Sequence, residues 1–455
     1  MIKCLDEIVK MCLKAKKIVL SKKILTIVII NIITMIVLLW LGAVQFETID
    51  DYMIYELLSG KWGQATSYTI YVNIILSSML VLLFKILPSI NWYVLMLLIT
   101  HIISFTVLGN IISKKYDNGL TIYLLVLIVA YIPFLIFLQY TSQAAILILT
   151  GFIYASNIIT NRGKKLKLIL PFAMILFGTM IRFGAIMYII PYVLLMFVIK
   201  IIMKKYPKSE IILRICFCLI TLLVCCLFKF VHNSIYNTSP IYKEYLEYSN
   251  VRVLIHDYLG NNYDANEEVY NSVGWSSNDY MSMALFNNAD DMVFNIENMQ
   301  YIIQNVTFEF PNFLRIFWFI TRLYFLPYLF ILIGLVYISV KQGNKESILI
   351  LAVALVIEFA FLMMWKANIR TCTLNYIVAI IFIVNNLEKL KFKNKLANEM
   401  FAYITIFILT IIVTMDVGTV ISNKDNSIAA SHSKFIEYVN ENKDNAYVYS
   451  RVWFK

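Results

Sequence analysis

Charge is scarce in this chain: 15% of its 455 residues are Asp, Glu, Lys or Arg, against 60% that are hydrophobic. Soluble domains carry about a quarter charged residues and about half apolar ones, so a soluble multidomain protein is excluded. Mean hydropathy of +0.75 agrees. Cysteine is equally uninformative as a framework. Of seven cysteines, Cys4 and Cys12 precede the first apolar run, Cys216, Cys218, Cys225 and Cys226 lie inside one run, and Cys372 edges another. The longest polar stretch has none, which argues against a disulfide scaffold. No Walker A, HExxH, CxxC or GxSxG pattern occurs at a useful place, so ATP-driven, zinc-protease and serine-hydrolase chemistry lacks support. No repeat of 20 to 50 residues is visible, which argues against a solenoid.

What the chain does have is apolar runs, near residues 24 to 44, 69 to 87, 93 to 112, 119 to 138, 143 to 160, 168 to 182, 184 to 203, 211 to 230, 323 to 341, 347 to 365, 373 to 387 and 399 to 417. Most can cross a hydrocarbon core of about 30 Å, and only helices satisfy their own backbone there. The expected fold class is therefore an all-α polytopic membrane protein. A net charge of +11 would suggest nucleic acid in a soluble protein. Here the Lys and Arg residues gather in short loops such as NRGKKLK (161 to 167) and KKYPKSE (204 to 210), the positive-inside pattern, so no nucleic-acid partner is expected.

That pattern orients the chain. The basic N-terminus, residues 1 to 23 with seven lysines, is expected to be cytoplasmic, and no small-residue cleavage pattern follows the first run, so that run is expected to be a retained span. Placing every basic loop inside requires one of the two runs between residues 46 and 113 not to span. The segment 69 to 87 carries Asn73 and Lys85 and ends in PSINW, so it is expected to lie along the external face or to enter and return. About eleven transmembrane helices (10 to 12) result. The expected organisation is an N-terminal transmembrane module at 24 to 230 with an external acidic loop at 45 to 68, a large external loop at 231 to 321, C-terminal transmembrane helices at 322 to 417, and an external tail at 418 to 455. The large loop holds eleven acidic against three basic residues.

Several polar residues then share one expected membrane face. FETIDDYMIYELLSGKWG (46 to 63) places Asp50 and Asp51 after the first run, with Glu47, Tyr52 and Glu56 beside them. Either aspartate could cap a helix starting near Tyr52. Either could instead accept a proton from a sugar hydroxyl or help hold a divalent cation such as Mg or Mn. Arg182, in FGTMIRFGAIMYIIP, interrupts an apolar stretch of 36 residues. It marks a tight external hairpin and either snorkels to headgroups or faces inward to grip a phosphate bidentately. Arg370 and Arg322 sit at comparable depth. Asp279, with Asp290 and Asp291, lies among aromatics and Met in the large loop, a mixture consistent with a sugar-binding lining. Glu358 and His101 fall inside runs, where an ionisable group suggests function, a proton relay, or else a packed neutral residue.

The arrangement of Asp50-Asp51-Tyr52 after a first span, a multi-span module with an IRF segment at Arg182, and a large external loop resembles the GT-C superfamily of membrane glycosyltransferases. That resemblance implies transfer of a sugar from a polyprenyl-phosphate donor to a cell-surface glycan or lipid acceptor, with inversion, in the plasma membrane of what is expected to be a bacterium. It implies that Asp50 or Asp51 acts as general base, and Arg182 is the candidate for the donor phosphate. No WWDYG-like sequence and no DxD or ExD pair in the LQYTSQ turn is present, which puts peptide glycosylation and a metal site in doubt. Two other classes remain: a polysaccharide polymerase, whose dependence on external arginines fits the acidic loop poorly, and a flippase or transporter of lipid-linked oligosaccharide, which would line a central path with groups such as Glu358 and His101.

Overall fold

The computed structural model describes residues 23–61, 63–116, 119–160, 165–202, 207–258, 263–284, 292–307, 326–341, 343–364, 369–386 and 438. Those residues are overwhelmingly helical, with one two-residue parallel strand pair. Among the described residues, six helices are long and apolar enough to cross a membrane: α1 (Lys23–Trp40), α4 (Trp92–Lys115), α5 (Gly119–Ile136), α6 (Tyr140–Thr160), α9 (Lys208–Tyr236) and α15 (Glu346–Met363). The all-α polytopic class is thus present. The run at 399 to 417, the tail apart from Tyr438, Arg322, Asp290 and Asp291 lie outside the described residues.

The chain divides into two compact units. One takes in Met1–Phe230, Pro327–Val353 and Tyr376–Asn423, and the other takes in Val231–Leu326, Ala354–Asn375 and Lys424–Lys455.

Within the first unit, α1 presents Ile29, Ile33, Ile36 and Trp40 outward, and α9 presents Ile212, Leu219, Leu223 and Leu227. Such stripes suit acyl chains as their surroundings. Polar contacts join the spans. Asn31 of α1 is buried and donates to Thr106 Oγ1 at 3.1 Å, while the Tyr123 hydroxyl donates to its side-chain oxygen and the Tyr131 hydroxyl to its carbonyl. A buried amide whose valences are met ties α1 to α4 and α5 without an unsatisfied group in lipid.

The closest helix pair is α6 with α7 (Ile169–Ile181). Glycine makes that approach possible. A Cβ on Gly151 would stand 2.6 Å from Ile175 Cγ1, and one on Gly178 would stand 2.7 Å from Ile148 Cγ1. Each glycine receives the other helix's isoleucine, the small-residue packing that replaces the hydrophobic effect inside a membrane. After α7 the chain breaks at Arg182, which has extended backbone, passes through a 3₁₀ turn at Phe183–Ala185, and returns as α8 (Ile186–Ile202). The hairpin expected at Arg182 is there.

Helix α3 (Ile74–Ile86) is 13 residues long, about 20 Å at 1.5 Å per residue. The Asn73 N–H at its start donates to Met180 O at 2.7 Å, and Asn73 Nδ2 donates to Phe228 O at 2.9 Å. Near its far end Phe84 rests 6.0 Å from the Tyr55 ring of α2 (Ile49–Ser59). Both ends are therefore held by other elements of the first unit.

The second unit corrects one expectation. Residues 240 to 305 form helices α10 (Pro240–Tyr258), α11 (Glu267–Ser272), α12 (Ser277–Ala284) and α13 (Ile296–Asn305) around a core of their own. Trp275, Tyr270, Tyr280, Met283 and Phe294 are buried in it, and Trp275 Nε1 donates to Val293 O at 2.7 Å. Of the aromatics and Met expected to line a sugar cleft, Trp275, Tyr280, Met283 and Phe294 are core residues, while Met281 and Met292 are exposed; rings of this size gain more from mutual burial than from exposure.

Replacing Gly178 by Ile should force α6 and α7 apart and cost about 1–3 kcal/mol, read as a lower thermal midpoint in detergent than that of Gly178→Ala.

Candidate functional site

The site is built where the loop after α1 meets the start of α6. Strands β1 (Gln45–Phe46) and β2 (Phe137–Leu138) pair in register, and the Glu47 N–H donates to Leu138 O at 3.1 Å. This clamp lays α2 over the N-terminus of α6. Helix α2 begins one residue after Thr48, whose extended backbone makes it the cap residue, and ends on Gly60, whose φ of 77° lets its N–H close on Glu56 O. The two aspartates lie in its first turn, where the helix dipole favours acid; they do not cap a helix starting near Tyr52.

Their environments differ. Asp51 is 0% exposed, and its carboxylate accepts from the Tyr93 hydroxyl at 2.8 Å, the Tyr140 N–H at 2.9 Å and the Thr48 hydroxyl at 2.8 Å. It therefore caps α6, a helix 89 residues further on. Burial pushes its pKa up from 3.8 to about 7, against the lowering effect of those three donors, with a smaller upward contribution from Asp50. Asp50 is half-buried on the neighbouring position. Tyr52 is half-buried too, its ring 6.4 Å from Tyr55.

Arg182 belongs to the same site. Its guanidinium carbon lies 4.3 Å from the Tyr71 ring centre and 5.6 Å from that of Tyr140, and the two rings stack at 5.8 Å. Cation–π contact holds the planar group without using up its N–H donors. Among the described residues no carboxylate forms an ion pair with it. Tyr71 is aimed by a strained turn. Its N–H donates to Thr69 O at 2.6 Å around Ile70, a β-branched residue at φ 60°, and such a γ-turn is rare and costs about 1–3 kcal/mol.

Lys229 of α9 lies close enough to Arg182 for the two charges to repel, and Asp50, Asp51 and Arg182 all act electrostatically on the Tyr140 hydroxyl. Arg182 thus lies on a pair of tyrosines, with Lys229 near enough to repel it and the half-buried Asp50 near enough to act on the Tyr140 hydroxyl. The fork of Arg182 and the ammonium of Lys229 can hold phosphate oxygens, and Asp50 can take a proton. Lys229, Tyr71, Tyr93 and Tyr140 were not among the candidates from sequence. Lys229 carried a readable signal, a lone charge in CCLFKFV, whereas the tyrosines are 3 of 30 and gave none.

The other described candidates have surroundings of their own. Asp279 belongs to the second unit, where its carboxylate accepts from the Ser276 N–H at 2.8 Å and hydroxyl at 2.6 Å, bonds that lower its pKa. It closes the start of α12 as a capping residue. Arg370, half-buried in α16 (Ile369–Asn386), also belongs to the second unit. His101 bonds Gln143 at 2.9 Å in the first unit, and Glu358 accepts from Asn375 at 3.4 Å in the second. Each of these two is served by partners in its own unit.

A divalent cation on the aspartates fits poorly. Both oxygens of Asp51 already accept hydrogen bonds, and among the described residues no three His, Cys, Asp or Glu side chains gather as a ligand set. Asp50 alone is a sparse ligand for Mg or Mn. No known protein family, curated protein or solved structure matches this chain.

Because folding raises the Asp51 pKa, the native state holds a proton that the unfolded chain releases above about pH 4. The associated stability is complete below pH 4 and is lost as pH rises through about 7. The thermal midpoint in detergent should therefore fall between pH 5 and pH 8. Asp51→Asn keeps an acceptor for Tyr93 and Tyr140 and should flatten that slope, while Asp51→Ala strands buried donors and should cost about 1–3 kcal/mol or more.

Proposed function

We propose that the chain is an integral-membrane glycosyltransferase that moves a sugar from a polyprenyl-phosphate donor to a cell-surface glycan or lipid acceptor. The observation supporting it is Arg182 seated on Tyr71 and Tyr140, with Lys229 near the arginine and half-buried Asp50 near enough to act on the Tyr140 hydroxyl. Asp50 is the base in this reading and Asp51 the residue that positions it, since Asp51 is sealed and fully bonded.

The acceptor hydroxyl loses its proton to the Asp50 carboxylate as its oxygen bonds to the anomeric carbon. The bond from that carbon to the phosphate oxygen breaks, and the phosphate leaves with the electron pair. Charge developing on it is met by Arg182 and Lys229, electrostatic stabilisation that acts where charge accumulates. Attack from the face opposite the leaving group inverts the anomeric centre. No step is routed through a metal ion.

The same reading places eleven crossings in a bacterial plasma membrane, with the N-terminus cytoplasmic and the Asp50 end of the first unit outside. The six long apolar helices among the described residues agree with a chain that crosses the membrane several times.

Asp50→Asn should lower transfer by about 10²–10⁴-fold, the usual contribution of a general base, while leaving the thermal midpoint near wild type. Arg182→Ala and Lys229→Ala should each raise the donor KM about tenfold, consistent with one lost charge-assisted contact. Activity is followed as label moved from a polyprenyl-phosphate sugar, and in cells as loss of a surface glycan that a deletion strain also lacks. Full transfer by Asp50→Asn would falsify the assignment.

A further inference from the structure

Glu56 is an acid of FETIDDYMIYELLSGKWG that the proposed reaction leaves unused, and its placement breaks two rules at once. It lies in the last turn of α2, the end where the helix dipole disfavours an acid. It is also 2% exposed, and its Oε2 is buried with no hydrogen-bond partner. A polar group sealed in this way is costly and calls for an explanation.

The fold does not use this carboxyl group. The end of α2 is closed by the Glu56 carbonyl, which accepts from the Gly60 N–H at 3.0 Å, the Lys61 N–H at 3.1 Å and the Ser59 hydroxyl at 3.3 Å. Those are bonds to the main chain, open to any residue at this position. Lys61, the nearest cation in sequence, extends over the Tyr55 ring at 4.9 Å, and among the described residues no cation pairs with Glu56.

Tyr52, one turn before Glu56, shares its helix face. Tyr52 and Tyr55 are half-buried with their rings 6.4 Å apart, and the chain directly after α2 is exposed at Lys61, Gly63 and Gln64. A carboxyl group on a face with tyrosine suits a sugar, whose hydroxyls donate to the oxygens while its C–H surface lies on an aromatic ring. We propose that Glu56 binds the acceptor glycan, taking hydroxyl donors from a sugar next to the one whose hydroxyl meets Asp50. Six residues separate the two acids, about 9 Å along α2 at 1.5 Å per residue. The proposal rests on the glycosyltransferase reading. It accounts for a local fault that folding does not require, since such faults are kept where function needs them.

Acceptor kinetics and stability test it together, on the full-length protein in detergent with the surface glycan of the deletion strain as acceptor. Glu56→Met removes the carboxyl group at similar volume and should raise the acceptor KM about tenfold, as one lost hydrogen-bonded contact does, with kcat and donor KM near wild type. Its thermal midpoint should stand at or above that of wild type, because an apolar side chain suits the buried position. Glu56→Gln keeps one acceptor oxygen and should raise the acceptor KM less. An unchanged acceptor KM in both variants would overturn the proposal. So would a midpoint well below wild type in Glu56→Met, or failure of that variant to fold, either of which would give the carboxyl group a structural task. Retention of the glycan without donor, counted by native mass spectrometry, separates this site from the reaction. If wild type transfers no sugar, the reaction assignment fails; if wild type and Glu56→Met retain the glycan equally, the Glu56 site fails.

Discussion

The carboxylate of Asp51 is the point on which the first unit turns. It draws together α2, which carries it, α4, through the Tyr93 hydroxyl, and α6, through the Tyr140 N–H. A helix N-terminus leaves N–H groups without partners, and here a distant acid meets one of them. Burial makes the ionised acid expensive, and three donors make its loss more so. The contact therefore enforces a geometry: α2 can sit only where Asp51 reaches Tyr140, and that position brings Asp50 toward the ring that Tyr140 shares with Arg182.

Tyr140 links the two halves of the site. Its N–H serves the acid and its ring serves the arginine, so the negative and positive groups are held apart by one rigid side chain and do not collapse into an ion pair. Held in this way, Arg182 keeps a charge and an unused fork for a ligand. Tyr71 completes the clamp at the expense of a positive φ at Ile70. Local strain of this kind persists only where surrounding contacts over-determine it. Asn73 supplies them two residues later by bonding both Met180 and Phe228.

Much of this was legible in the sequence for simple reasons. Apolar runs divided by basic loops are dictated by the bilayer, and so many of the helices and the break at Arg182 could be read without coordinates. Asp50, Asp51 and Arg182 stood out because charge is rare where they occur. The different burial of adjacent aspartates could not be read, since helix geometry turns neighbours by about 100° and only the partners across the fold say which side faces inward. The tyrosine clamp was hidden because tyrosine is common here and its partner is 69 residues away. Asp279 shows the converse. Acid among aromatics suggested a binding surface, but Ser276 three residues before it was the better guide, because that spacing is what a capping pair requires.

The division between the two aspartates bears on chemistry as much as on fold. A general base must exchange protons with a bound acceptor, so it needs access. A positioning acid needs fixed partners instead, which the three donors to Asp51 supply. Had the two residues shared one environment, mutual repulsion would have raised the proton affinity of both and blurred their roles. Separating them on consecutive residues of one helix lets the buried member absorb the cost of assembly while its neighbour remains available. A pair read in sequence as one motif thus carries two tasks, and the side of α2 on which each residue falls decides which task it has.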